Sequence, residues 1–120
     1  MNVVHVTPTE TVTEQLSVQR VGDMAGAQLL RANVWTIAEG SMLRHSHREQ
    51  EELYMVLDGV AQLEVEQETY RLAERDALSV PAGLAHKLTN IGVGPLTVLV
   101  AAAPPTSADS TIEELTDGRI

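Results

Sequence analysis

Three of the four histidines in this chain stand where their side chains could serve one common ligand. His45 and His47 are separated only by Ser46. On an extended backbone alternate residues project from the same face, so both imidazoles would point the same way. Acidic residues follow at once, Glu49, Glu51 and Glu52, and any of them could add a carboxylate. The third imidazole, His86, comes after Pro81-Ala82-Gly83. Proline at the second position of a β-turn and glycine at the fourth favour a turn that aims the next strand back across a sheet. Two close imidazoles, one carboxylate and a distant imidazole form a set of three nitrogens and one oxygen. Such a set suits Fe, Mn, Ni, Cu or Zn, whereas Ca and Mg prefer oxygen cages. Four protein donors leave an octahedral ion up to two positions for water or substrate, as catalysis requires. Against this stands a plainer reading, in which the two histidines are merely exposed and the glutamates are a solvated charge run. The fourth histidine, His5, reads as a solvated residue of the N-terminal stretch.

The elements that would position these groups are short and β-rich. Val34 to Ala38 ends at Glu39-Gly40, and Leu53 to Leu57 ends at Asp58-Gly59, a pair that favours a hairpin turn. Ala61, Leu63 and Val65 then alternate with Gln62, Glu64 and Glu66, the period of a half-buried strand. Tyr70–Leu72, Ala77–Val80, Leu84–Thr89 and Leu96–Ala101 complete the set. Many short strands without a long helical period predict an all-β sandwich or barrel. Residues 1–28 read as an N-terminal arm with an edge strand, and residues 29–103 as the barrel. Residues 104–120 read as a C-terminal tail that opens with Pro104-Pro105, which cannot continue a sheet. Ser110 followed by Glu113 is a capping-box pattern, so a short helix is expected over Thr111 to Leu115 in an otherwise flexible tail.

Composition narrows the classes of function. With 120 residues the chain is one domain. A formal charge of −9 argues against a nucleic-acid partner, which needs a dense basic face, and against an anionic membrane surface. Aromatic residues are 2% of the chain, which leaves almost nothing on which bases could stack. There is no cysteine, so thiolate ligands, disulfides and a Cys nucleophile are excluded. No apolar run approaches the length of a membrane helix, and the start lacks the form of a secretory signal, so a cytoplasmic setting is expected.

Taken together, the two histidine-bearing segments resemble the paired motifs of the cupin superfamily. The first reads Gly40, four residues, His45-Ser46-His47, four residues, Glu52, six residues, Gly59. The second reads Pro81-Ala82-Gly83-Leu84-Ala85-His86, three residues, Asn90. Two departures concern turns. Gly40 is one residue closer to His45 than in the family pattern, and Arg75 stands where the second motif opens with glycine.

The resemblance implies a cupin-type jelly-roll β-barrel (a double-stranded β-helix) spanning residues 30 to 101. It implies one divalent transition metal, Fe, Mn, Ni, Cu or Zn, held by His45, His47, Glu52 and His86. Glu52 is selected over Glu51 by its distance from the closing Gly59, and it doubles as the candidate catalytic base. Asn90 would fix a loop through hydrogen bonds. Leu43, Tyr54, Val56 and Leu88, with Trp35 or Met42, are candidates for the pocket wall. The expected function is metal-dependent chemistry on a small organic molecule, with an O2-dependent dioxygenase foremost. A metal-dependent sugar isomerase or lyase is the second enzyme reading. It needs an anion-binding cation near the metal, for which Arg44, Arg48 and Lys87 are the nearby candidates and the two arginines alternate away from the ligand face. A non-catalytic module that binds metal and a small ligand is the rival from another class. Strands apolar on both faces predict a homodimer through the N-terminal arm and the Leu53–Leu57 sheet.

Overall fold

The computed structural model describes residues 1–7, 9–106 and 109–112. Two antiparallel sheets face each other. The first contains β1 (Glu10–Thr11), β2 (Leu16–Gln19), β3 (Arg31–Ile37), β6 (Glu51–Asp58), β9 (Ala77–Val80) and β11 (Leu96–Ala103). Its spatial order is β1-β2-β3-β11-β6-β9. The second contains β5 (His45–His47), β7 (Ala61–Val65), β8 (Glu68–Leu72), β10 (His86–Asn90) and β12 (Ser110–Ile112), in the order β12-β5-β10-β7-β8. The two-residue β4 (Gly40–Ser41) pairs with β10 to one side of this path. This is the jelly-roll arrangement expected.

The core lies between the sheets and is almost wholly aliphatic. Along β11, Leu96, Val98, Val100 and Ala102 are buried while the residues between them are half-buried. In β7, Ala61, Leu63 and Val65 turn inward and Gln62 and Glu64 outward, as their alternation predicts. Ile37, Val56, Leu63, Leu96 and Val98 are fully enclosed. Each such side chain contributes about 1.5–3 kcal/mol of burial, so the five supply a large part of what holds the sheets together.

One expected hairpin is overturned, and two other turns take positive φ without glycine. Asp58-Gly59 does not close a hairpin, because β6 and β7 lie in different sheets. The turn instead carries the chain across the sandwich. Gly59 has φ +96°, and a Cβ there would meet the Pro95 carbonyl oxygen at 2.8 Å. The true hairpin joins β7 to β8 through Glu66 and Gln67, with Glu66 at φ +54°. Arg75 takes the left-handed conformation, φ +72°, at the position where the family motif has glycine. Its N–H donates to Val56 O, and Asp76 N–H donates to Ala73 O, so hydrogen bonds hold the turn where glycine's freedom is missing.

The ends of the chain also hold surprises. A five-residue helix, α1 (Val21–Ala25), interrupts the N-terminal segment and is stopped by Gly26 at φ +83°. Where a helix was expected from Thr111, Ser110–Ile112 is a strand paired with β5; the remainder of that expected helix lies outside the described residues. The physical reason is competition. An isolated helix of one or two turns is marginal in water, whereas the open edge of β5 offers unpaired backbone groups.

Candidate metal centre

The four predicted ligand residues come together from both sheets. His45 and His47 project from one face of β5, as their spacing requires. His86 opens β10 directly opposite His45 in the ladder. Glu52 faces them from β6 in the other sheet, sharing its side with buried Tyr54 and Val56, while Glu49 and Glu51 are exposed. One ligand atom from each of the four lies within 4.8 Å of the others. Glu52 Oε1 is the centre of the group, 2.7 Å from His86 Nε2, 3.4 Å from His47 Nε2 and 3.8 Å from His45 Nε2.

The second nitrogen of each ring fixes which way it points. His45 Nδ1 is 3.0 Å from Leu43 O, His86 Nδ1 is 2.8 Å from Leu84 O, and His47 Nδ1 is 3.3 Å from Asp109 Oδ1. Each partner is an acceptor, so these geometries assign the proton to Nδ1 and leave Nε2 to face the cluster. At His86 the free nitrogen then lies 2.7 Å from Glu52 Oε1, a separation that suits two ligand atoms sharing one ion. His47 Nε2 is buried and has no hydrogen-bond partner among the described residues. Two donors at right angles and about 2.1 Å from one ion lie about 3 Å apart, close to the separations seen here. The donor chemistry and the anchoring both fit a transition metal.

Electrostatics agree with that fit. Burial by itself would raise the Glu52 carboxyl, but its close contacts with the His45, His47 and His86 imidazoles outweigh it and hold the group well below the usual carboxylate range. His47 is raised, first by its contact with Glu52 and against the opposing effect of burial. Tyr54 donates to Glu52 Oε1 at 2.9 Å, and burial pushes its phenol well above the ordinary value. Glu52 is therefore an ionised carboxylate ringed by three imidazoles and steadied by one phenol donor.

Asp109 is a functional candidate that sequence reasoning missed. It precedes β12, and its Oδ2 accepts from Glu49 N–H at 2.9 Å and Gln50 N–H at 3.0 Å. Those backbone bonds, led by Glu49, hold its carboxyl well below the usual range. Nothing in the local sequence marks Asp109, because its partners are some sixty positions away. Asn90 behaves as expected: its Nδ2 reaches Ile37 O, Ala38 O and Gly94 O, and its Oδ1 accepts from Gly92 N–H.

Beside the cluster is a cavity of about 340 Å³. Trp35, Met42, Leu43 and Tyr54 line it, as expected, whereas Val56 and Leu88 belong to the closed core. The expected cations are elsewhere. Arg44 donates to Glu66 O, and Arg48 is 77% exposed in its side chain. Two others, Arg20 and Arg31, line the cavity instead.

With that geometry in view, the likeness to other proteins becomes specific. The family described as "Cupin domain" matches residues 33–102, more than half of the chain and all four cluster residues. The chain belongs to the cupin family. Among its relatives, an uncharacterised protein of Streptomyces coelicolor is 33% identical over 100 residues, covering 78% of this chain and 94% of that one. An uncharacterised protein of Methanocaldococcus jannaschii is 33% identical over 69 residues, which is 58% of this chain and only 55% of that protein's length. A cupin sugar phosphate isomerase from Silicibacter pomeroyi superposes with a TM-score of 0.77 at 28% identity, over 85% of this chain and 68% of that one. No helix among the described residues of this cupin is long and apolar enough to cross a membrane.

Proposed function

We propose that this cupin is a metal-dependent enzyme in which His45, His47, Glu52 and His86 hold one divalent transition metal and Glu52 is the catalytic base. The observation that carries this reading is the convergence of three Nδ1-anchored imidazoles and one carboxylate within 4.8 Å, beside a cavity large enough for a small organic molecule. Fe, Mn, Ni, Cu or Zn, when bound there, supplies Lewis acidity and open positions for substrate and O2. The chain's own residues do the rest. Glu52 accepts a proton from substrate, Tyr54 steadies its Oε1, and the apolar walls limit water.

O2-dependent dioxygenation is the first reaction class on this reading. A metal-dependent isomerase or lyase is the second, and it draws support from Arg20 and Arg31 on the cavity wall and from the likeness to the Silicibacter isomerase. The test is a substrate screen of Fe(II)- and Mn(II)-loaded protein with and without oxygen. Turnover only in oxygen supports the dioxygenase, and turnover in its absence supports the isomerase or lyase. Ligand binding without turnover in either condition makes the protein a binding module. Glu52→Gln at full metal occupancy separates roles within the enzyme reading. General-base action is commonly worth about 10²–10⁴-fold, so wild-type turnover by that variant would leave Glu52 as a ligand only.

The functional unit on this reading is a homodimer. Leu53 and Leu57 stand on the outward side of β6, 44% and 37% exposed, and Leu30, just beyond the N-terminal arm, is 45% exposed. With Leu53 and Ala101, Leu30 lines an outward groove on the same sheet.

A further inference from the structure

The cavity reverses the charge balance of the chain. The protein has 17 acidic residues against 8 Lys and Arg, yet among the described residues two arginines and a single acid, Glu52, line this space. Glu52 is already engaged by three imidazoles and the Tyr54 phenol. Arg31 is the cation of this wall that no described carboxylate pairs with, since Arg20 is partly balanced by Glu10, and a bound metal cation would add to its charge.

The register of the first sheet puts this charge at a defined distance from the cluster. Arg31, Ala102 and Glu52 stand on one rung across β3, β11 and β6. Neighbouring strands are about 4.8 Å apart, so the Arg31 and Glu52 backbones are about 10 Å apart. Between them Ala102 carries only a methyl group, and the space above it stays open. The next rung is Asn33, Val100 and Tyr54. Asn33 is buried, lines the same cavity and makes no side-chain hydrogen bond to a described residue. One donor of the Arg31 guanidinium is tied to Thr106 O at 2.7 Å, which pins the head group. Arg20, which follows β2 beside β3, also lines the cavity while its Nε pairs with Glu10 near the surface.

We propose that the cavity takes a small organic anion whose carboxylate or phosphate group is bound by Arg31, with Asn33 beside it and Arg20 adding charge. The rest of the molecule then extends over Ala102 toward Glu52 and the histidines. A guanidinium presents a planar fork of donors that matches either oxyanion group, and such charge-assisted pairs are strong where water is limited. This inference refines the substrate class of the proposed enzyme, but the anion grip itself belongs to residues outside the ligand cluster.

Calorimetry on metal-free protein keeps the two ideas separable. The probes are malonate, its uncharged isostere malonamide, and glycerol 3-phosphate. At least one anion should bind more tightly than malonamide. Arg31→Gln should lower that anion's affinity about 10–100-fold, the loss expected for hydrogen bonds to a charged group. Arg31→Lys should retain part of it, and Arg71→Gln, an exposed change on β8, all of it. Malonate and glycerol 3-phosphate separate the two oxyanions. Equal binding of anions and malonamide, no anion binding up to about 10 mM, or full anion affinity in a folded Arg31→Gln variant would each overturn the proposal. Anion preference that depends on Arg31 in a protein that never takes up metal would uphold this inference and defeat the metal-enzyme reading.

Discussion

The Tyr54 phenol donates to Glu52 Oε1 from two positions further along the same strand, at 2.9 Å, and this is the oxygen on which the imidazoles converge. Because both side chains share one face of β6, a single strand supplies the carboxylate and the group that steadies it. Tyr54→Phe removes that donor with almost no change of shape. We expect metal affinity to fall about 10-fold or more, as for other partners of ligand side chains, with the circular dichroism unchanged. Unaltered affinity in a metal titration would show that Tyr54 does not orient Glu52.

Metal content is the most direct check on the cluster. Protein grown in metal-replete medium should carry about one transition-metal ion per chain, with ligand bonds of about 2.0–2.2 Å. His86→Ala removes one of four donors and should weaken binding by at least about 10–100-fold. Elemental analysis without such a metal, or a variant with native affinity, contradicts the assignment.

Asp109 lends itself to a separate test because it touches His47 but lies outside the four-residue cluster. Asp109→Asn keeps the size but leaves one oxygen where two serve Glu49 N–H, Gln50 N–H and His47. We expect a lower melting temperature and metal affinity reduced about 10–100-fold. With cobalt as probe, a changed absorption spectrum would report a turned His47 ring. A native spectrum and native affinity would reduce Asp109 to a loop anchor.

The pair of shifted groups predicts different pH responses for metal-free and metal-loaded protein. The Glu52 pKa is lowered from its ordinary 4.5, so its stabilising contribution is complete above that pH and is lost as pH falls through the folded value. The His47 pKa is raised from 6.5, so its contribution is complete below 6.5 and is lost as pH rises through the folded value. In EDTA, thermal stability from this pair should be greatest between about pH 4.5 and 6.5 and decline toward alkaline pH. Metal ions compete with protons for the imidazoles, so loaded protein should lose that alkaline decline. Identical pH profiles with and without metal would contradict the coupling.

Self-association should be visible by light scattering. A homodimer gives twice the chain mass of 13.0 kDa, and Leu53→Glu, on the outward face of β6, should return it to 13.0 kDa. A wild-type mass of 13.0 kDa at micromolar concentration would dismiss the dimer.

The sequence by itself determined the strands and the facing of the side chains on them. Alternation in β7 announced which residues turn inward, and the spacing of His45 and His47 placed two imidazoles on one side, because side-chain direction in a strand follows from backbone geometry alone. The paired motifs pointed to Glu52 over its neighbours, and the buried position of Glu52 beside exposed Glu51 agrees with strand parity. What only the tertiary structure decided depends on which strands pair. Asp58-Gly59 has the composition of a hairpin, yet it joins two sheets, because strand partners are chosen by the core as a whole. Ser110 to Ile112 carried a helix signal, yet the edge of β5 drew it into a strand and brought Asp109 to His47. Arg31 reached the cavity through the register of β3 on β11 and of β11 on β6, and Arg20 entered from a segment that read as a loose arm. Such placements arise from contacts between residues distant in the chain, which no local period or spacing encodes.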